Sequence, residues 1–156
     1  MNGLIISTDP ARLDVALIHR FLSEESHWAR GIPRAVVERS IVNSLCFGAY
    51  DDDGAQLGFA RVVTDRATFA WLADVFVLEG LRGRGIGEAL VLAVNAHAEL
   101  QGIRRRLLAT SSAAPLYARH GWLPLAKPEI FMERSDPEVY SRPARATSLS
   151  APGDKP

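Results

Sequence analysis

The most constraining feature of this chain is a strand, a glycine-rich turn and a helix in direct succession. The segment TFAWLADVFVL is apolar almost throughout, which is typical of a central strand. The segment IGEALVLAVNAHAELQGI is apolar on most faces and predicts a largely buried helix of about 16 residues. Between them, LRGRGIG holds three glycines and two arginines. Because the first turn of a helix has free backbone N–H groups and the positive end of the helix dipole, this succession predicts an anion cradle.

The glycines and arginines of the turn are both suited to binding an anion. Gly83, Gly85 and Gly87 let an anion approach the backbone closely. Arg82 and Arg84 can add charge-assisted hydrogen bonds. The alternative is a helix entry in which glycine serves packing and both arginines are solvated.

Spacing separates the phosphate-binding turns that this one could be. A dinucleotide fold needs glycine at the first, third and sixth positions; counting from Gly83 the sixth position is Glu88, and counting from Gly85 it is Leu90. A nucleoside-triphosphate loop needs Gly-Lys-Ser/Thr, which does not occur in the sequence. Both of these families are therefore excluded.

Apolar periodicity and turn signals along the rest of the chain predict an α+β (mixed α/β) domain. Its strands and helices follow the order β-α-α-β-β-β-α-β-α-β. The first helix is expected near residues 11 to 24, and the second opens at Pro33 and carries Leu45. LCFGAY and AQLGFARVVT flank an Asp/Gly turn and predict a hairpin. RRRLLAT predicts a fifth strand, SAAPLYARHG a short helix, and WLPL with IFMER a last hairpin.

Length and composition indicate one domain over residues 1 to 135. The chain has 156 residues and is 47% hydrophobic, which is enough for one core. From 136 to 156 the sequence is rich in Pro, Ser and Ala and predicts a disordered tail. Lys plus Arg and Asp plus Glu number 18 each, so overall charge favours neither nucleic acid nor a membrane surface as a partner.

Targeting and redox signals predict a cytoplasmic protein. Neither a basic leader nor an apolar run of membrane-spanning length occurs in the sequence. The single cysteine, Cys46, cannot form an internal disulfide and is expected to be a small core residue. No metal site is predicted.

The turn Arg82-Gly83-Arg84-Gly85-Ile86-Gly87 follows the pattern Arg/Gln-x-x-Gly-x-Gly/Ala, and LYARHGW lies about 30 residues further on. At these positions the chain resembles the Gcn5-related N-acetyltransferase (GNAT) superfamily, over about residues 4 to 134. The resemblance implies a twisted, mostly antiparallel sheet flanked by helices and splayed between its fourth and fifth strands. It also implies that residues 82 to 87 bind the pyrophosphate of acetyl-coenzyme A (acetyl-CoA).

The same resemblance assigns further cofactor contacts. A backbone N–H of Val75 or Phe76 is expected at the thioester carbonyl, and Val77 is expected to pair with the pantetheine arm. Ser111 and Ser112 stand where relatives contact that arm. Arg104, Arg105 and Arg106 are expected either at a phosphate of the adenosine or, as a charged run, at a solvated edge.

Two residues are catalytic candidates. The resemblance sets Tyr117 beside the sulfur of coenzyme A, where a hydrogen bond from its hydroxyl would support the leaving thiolate; the alternative is a core tyrosine. Asp74 is a candidate general base because a carboxylate within an apolar strand is costly to bury without a role. It faces the acceptor only if this strand carries a bulge, and the alternative is a structural carboxylate bonded to the backbone or to an arginine.

The acceptor side is predicted from the loop SEESHWARG. His27 and Trp28 are the substrate-binding candidates, and Trp28 is either a cation–π wall for an amine or a core anchor. The resemblance implies an N-acetyltransferase in which a primary amine of a small molecule attacks acetyl-CoA directly. The alternatives are a non-catalytic acyl-CoA sensor and a protein-lysine acetyltransferase. A homodimer is also possible.

Overall fold

The architecture was determined from a computed structural model of the chain, which describes residues 3–142. Within that range the chain forms five strands and four α-helices. In order they are β1 (Ile5–Ser7), α1 (Val15–Arg20), α2 (Arg34–Val42), β2 (Leu45–Tyr50), β3 (Gln56–Thr64), β4 (Phe69–Val77), α3 (Ile86–Ala96), β5 (Arg105–Leu108) and α4 (Ala114–Ala118). None of the helices in this range is both long and apolar enough to cross a bilayer.

The five strands form one sheet in the order β1-β2-β3-β4-β5. The first three pairings are antiparallel, and β4 pairs with β5 in parallel. The β2–β3 hairpin closes where Asp51 accepts a hydrogen bond from the Ala55 amide through its side chain and donates its own amide to the Ala55 carbonyl. The predicted α+β fold, a mostly antiparallel sheet flanked by helices, is confirmed.

Strand β4 carries a bulge at Asp74. Phe59 of β3 pairs with Phe76, but Arg61 pairs with Ala73, so β4 holds one residue more than β3 between these pairs. Asp74 has a φ of 51°, in the left-handed region that non-glycine residues seldom adopt. The bulge required for Asp74 to face the acceptor side is therefore present.

Strands β4 and β5 separate partway along their length. Their pairing runs from Phe69 with Arg105 to Leu72 with Leu108, whereas β4 continues to Val77. Beyond Leu72 this edge of β4 has no β5 partner, so a cleft opens between the two strands.

Two hydrophobic clusters cover the two faces of the sheet. Leu72 and Val75 pack in the cluster that contains α3. Phe76 packs on the opposite side with α1 and α2, and its ring stacks on Phe21 with 3.9 Å between centroids. The bulge thus breaks the strict alternation of side chains along β4 just where the cleft begins.

The first helix is shorter than the sequence predicts. Residues 11 to 24 are divided into a 3-10 turn (Pro10–Arg12), α1 and a π-helical turn (Phe21–Glu25). Asp9 accepts from the Ala11 amide and Asp14 from the Leu17 amide. Two aspartate N-caps five residues apart start two separate helical turns, which apolar periodicity alone does not reveal.

The next two helices also end early. Helix α2 ends at Val42, and Leu45 begins β2 instead of continuing the helix. Helix α3 ends at Ala96 because His97 is extended, and a separate 3-10 turn (Ala98–Leu100) follows. The prediction of about 16 helical residues is therefore wrong at the C-terminal end.

The predicted last hairpin is absent from the described residues. Residues 122 to 134 contain a 3-10 turn (Pro128–Ile130) and no strand. Pro124 and Pro128 lack the N–H that a strand ladder needs, which explains why this apolar segment does not extend the sheet.

The segment predicted as a disordered tail is described only as far as residue 142. Residues 136 to 142 form a turn, in which Asp136 pairs with Arg142 at 2.6 Å. Tyr140 packs against the cluster around α1 and α2. The rest of the predicted tail, 143–156, lies outside the described residues.

Candidate active site

The turn before α3 is open on its outer side. Gly83 and Gly85 have φ values of 76° and 81°, which L-residues adopt only with strain. A Cβ atom placed on either glycine would meet nothing within 4 Å. The backbone here is therefore accessible to a ligand and is not blocked by its own side chains.

The N-terminus of α3 presents amide donors to this open turn. No side chain caps the helix at Gly85, and the first helical bond runs from the Ala89 amide to the Gly85 carbonyl. The N–H groups of the first helical turn consequently lack helical partners. Arg82 and Arg84 are both exposed beside them, and Arg82 Nε donates to the Val77 carbonyl at 3.4 Å. Free donors, two cations and the helix dipole together favour an anion.

A cleft of about 630 Å³ lies where β4 and β5 separate, which is within the usual range for small-molecule sites. It brings together predicted residues from four distant segments. The lining residues are His27, Trp28, Arg61, Trp71, Leu72, Ala73, Asp74, Val75, Ala109, Thr110, Ser111, Ser112, Ala113 and Tyr117.

Tyr117 closes one side of the cleft from α4. Its side chain is nearly buried, at 7% exposure, and its ring packs edge-on against Trp122. Burial raises the pKa of the Tyr117 phenol, so the hydroxyl stays protonated at neutral pH. Within residues 3–142 its hydroxyl forms no hydrogen bond, and it is thus free to donate to a group in the cleft.

Asp74 reaches the cleft from the bulge, but both of its oxygens are engaged. Oδ2 accepts from Arg61 Nε at 2.7 Å, and Oδ1 accepts from Trp28 Nε1 at 3.0 Å. The Asp74 and Arg61 side chains are only 11% and 17% exposed. Disrupting one partner of such a pair costs about 3–5 kcal/mol. These contacts match the alternative of a carboxylate held by an arginine.

Arg61 is a cleft residue that sequence reasoning missed. It lies on β3, where its Nη1 also donates to Ser44 Oγ at 3.1 Å. An arginine within the apolar strand LGFARVV is a signal that could have marked it, since a charge in a buried strand needs a partner. Trp71 and Thr110 also line the cleft and were not predicted.

His27 and Trp28 line the cleft from the loop after the π-helical turn. Trp28 is 46% exposed, so it is not a core anchor. The two rings lie edge to face at 5.1 Å and 88°. His27 Nε2 is 3.5 Å from Ser111 Oγ, so the loop meets the segment after β5 across the mouth of the cleft.

The remaining predicted cofactor residues are divided between the cleft and the core. Val75, Ser111 and Ser112 line the cleft. The Phe76 side chain is buried against Phe21, and the Val77 side chain packs in the cluster around α3. The Phe76 side chain is thus withdrawn from the cleft, whereas Val77 is only partly buried; the main-chain roles predicted for both stay predictions.

The arginine run at 104 to 106 lies at the start of β5, beside the turn that precedes β4. Arg106 donates to the Leu100 and Asn95 carbonyls, and Arg105 lies over the Phe131 ring at 5.3 Å. The glycine turn follows the opposite end of β4. Arg106 thus holds the segment at the C-terminal end of α3, and this structural role accounts for its contacts without a phosphate of the adenosine.

Comparisons with known proteins agree with this geometry. Residues 42–123 match the family described as the acetyltransferase (GNAT) domain. A crystal structure from Xanthomonas campestris pv. campestris, described as a "putative acetyltransferase belonging to the GNAT family", is 54% identical. The match covers 91% of this chain and 99% of that one, with a TM-score of 0.87.

More distant proteins match over much of their length. A Gibberella zeae protein with the name "putative acetyltransferase" is 30% identical over 137 residues, 74% of this chain and 76% of its own. A crystal structure of glucosamine-6-phosphate N-acetyltransferase from Arabidopsis thaliana is 14% identical. It matches with a TM-score of 0.62 over 86% of this chain and 99% of that one, and it shares the fold alone.

Proposed function

Because the chain belongs to the GNAT acetyltransferase family, we propose that it transfers an acetyl group from acetyl-CoA to a primary amine of a small molecule. The open turn from Arg82 to Gly87, at the end of a strand that borders the cleft, is the observation on which the proposal depends. A diphosphate needs converging N–H donors and positive charge, and this turn offers both.

The residues present fit the pyrophosphate and the pantetheine arm of the cofactor. Residues 82 to 87 would hold the pyrophosphate, and the edge of β4 that β5 leaves unpaired would accept the pantetheine arm. Ser111 and Ser112 line the other side of that slot. The arm would then end inside the cleft, close to Tyr117.

The bound thioester would supply the acetyl group, with a C–N bond forming to the amine as the C–S bond breaks and sulfur keeps the electron pair. Tyr117 supports that departure by donating a hydrogen bond to the sulfur. Its raised pKa keeps the donor proton in place at neutral pH. Among the described residues, the cleft lining holds no cysteine, and its Ser111/His27 pair has no carboxylate in hydrogen-bond contact. Direct attack by the amine is therefore the route that we favour over a covalent enzyme intermediate.

The cleft favours a small amine that carries an apolar or aromatic group. Its volume is about 630 Å³, and Trp28 and Trp71 contribute to its lining. Among residues 3–142, the only carboxylate that lines it is Asp74, which is already paired with Arg61. A polyamine would need free acidic groups, whereas a monoamine gains from the aromatic rings through apolar contact and cation–π attraction.

Two measurements test the function. Titration calorimetry with acetyl-CoA should show binding at one site per chain, and thiol release in the presence of an amine panel should show turnover. The double variant R82E/R84E should lose most of the binding because it reverses the charge at the turn. R34E is the matched control, since Arg34 is exposed on α2 and, within the part of the chain that the structure describes, pairs only with Glu38.

The outcomes separate an enzyme from its alternative. Binding together with amine-dependent thiol release supports the acetyltransferase. Binding without turnover across a broad panel would support an acyl-CoA sensor. No binding of acetyl-CoA by folded protein would remove the basis of both.

A further inference from the structure

Asp74 cannot be both the hydrogen-bond partner of Arg61 and Trp28 and the general base of the cleft. Its two oxygens accept from Arg61 and Trp28, and its side chain is only 11% exposed. Little of the carboxylate is therefore available to a substrate. Protonating it would also leave the Arg61 guanidinium, itself mostly buried, without its counter-charge. The general base for this cleft is better found elsewhere.

A chain of contacts leads from this pair to an exposed imidazole. Arg61 is anchored on Ser44 and holds Asp74. Asp74 in turn accepts from the indole of Trp28, and that ring lies edge to face with His27 at 5.1 Å. Asp74 has a strained φ of 51°, and strain of this kind often marks a functional site.

We propose that His27 is the residue that accepts the proton of the acceptor amine, and that Asp74, Arg61 and Trp28 are its positioning residues. This rests on the proposed function. His27 is exposed and lines the cleft, and its Nε2 is 3.5 Å from Ser111 Oγ, on the opposite side of the opening. Imidazole is also the side chain whose ordinary pKa, about 6.5, suits proton transfer near neutral pH.

The proton balance is simple. An N–H bond of the substrate ammonium breaks and its electron pair stays on nitrogen, which becomes nucleophilic. The proton adds to a ring nitrogen of His27, which later releases it to water at the open mouth of the cleft. A second amine proton, lost as the amide forms, balances the proton that the departing sulfur takes up.

The charged and titratable groups near His27 that the described residues show belong to the cleft lining and to its own loop. Arg61 and Asp74 line the same cleft as an ion pair, and Tyr117 lines it as a protonated phenol. On its own loop the ionisable neighbours are Glu24, Glu25 and Arg30, all exposed.

The test is the pH dependence of kcat, measured with an amine that the wild-type protein acetylates. In the wild type, kcat should rise with pH and then level off. In His27→Gln it should be at least about 10-fold lower near neutral pH and keep rising, because hydroxide and solvent replace the lost base. Acetyl-CoA binding by calorimetry should stay within about 2-fold, since the substitution leaves the glycine turn and Ser111 in place and removes only the long 3.5 Å contact to Ser111.

Two further variants make the result specific. Asp74→Asn should lower kcat but keep the levelling-off, as a positioning residue does. His97→Gln removes an imidazole that packs on Phe47, away from the cleft, and should leave the profile unchanged.

If His27→Gln keeps the wild-type profile, or if Asp74→Asn alone abolishes it, the assignment of His27 is wrong while the acetyltransferase stands. A wild-type protein that binds acetyl-CoA but acetylates no amine would instead overturn the proposed function, and this inference with it.

Discussion

At the scale of single residues, Tyr117 is the side chain whose role can be isolated most cleanly. Tyr117→Phe removes only the hydroxyl and keeps the ring that packs on Trp122. Since no described residue bonds to that hydroxyl, folding stability should change by less than about 1 kcal/mol. Thiol release should fall by about 10-fold or more, and acetyl-CoA affinity should remain. Unchanged turnover would show that Tyr117 is only a core tyrosine.

Single residues also show how far the sequence could predict this site. The sequence predicts Tyr117 and Asp74 as catalytic candidates and His27 and Trp28 as substrate-binding candidates, and all four line the cleft. An arginine partner for Asp74 is one of the alternatives that the sequence offers, but its identity as Arg61 was not predictable, because it depends on the register between β3 and β4. One extra residue at the bulge decides which side chain meets Arg61, and sequence patterns do not fix where a bulge falls.

At the scale of elements, the glycine turn is the part of the fold that a binding experiment can test. Gly85→Ala forces an L-residue to a φ of 81°, which costs about 1 kcal/mol or more. Relieving that strain would shift the first turn of α3, so acetyl-CoA affinity should fall by about tenfold. Calorimetry measures the affinity, and urea unfolding measures the stability.

Gly54→Ala is the matched control for this variant. Gly54 has a φ of 85° and also has nothing within 4 Å of an added Cβ, but it lies in the β2–β3 turn. Both variants should lose similar stability, and only Gly85→Ala should bind acetyl-CoA more weakly. Equal affinities in the two variants would contradict a phosphate role for the turn.

Elements differ in how well the sequence predicted them. The strands β2 to β5 and the start of α3 were predicted because long apolar runs and glycine turns act locally. The predicted first helix is too long because the N-caps at Asp9 and Asp14 divide the segment into separate helical turns despite its apolar periodicity. The last hairpin was wrong because Pro124 and Pro128 remove N–H donors from a segment whose composition resembles that of a strand.

At the scale of the whole molecule, the sheet separates two cores, and the cleft lies where that sheet divides. This arrangement buries two titratable groups outside the site, Cys46 and Tyr50, and one on its lining, Tyr117. Burial raises the pKa of Cys46 to about 11 and also raises the pKa of Tyr50 and Tyr117. The Tyr50 hydroxyl is fully buried without a hydrogen-bond partner among the described residues. The folded protein therefore keeps these protons at pH values where the unfolded chain has lost them.

The consequence is a loss of stability at alkaline pH. A pKa that is higher in the folded than in the unfolded state stabilises the folded protein. For Cys46 this contribution is fully present below the unfolded pKa of 9.0, and it is lost as the pH rises to about 11. For this thiol the loss is on the order of 2 kcal/mol, and the tyrosines add to it above pH 10. Urea unfolding between pH 8 and 11 measures how steeply the free energy of unfolding falls with pH.

Cys46→Ala should be less stable than wild type at pH 8 because it leaves a small cavity, yet it should lose less stability between pH 9 and 11. Parallel curves for the two proteins would mean that the thiol ionises equally in both states, and that the core around β2 admits water.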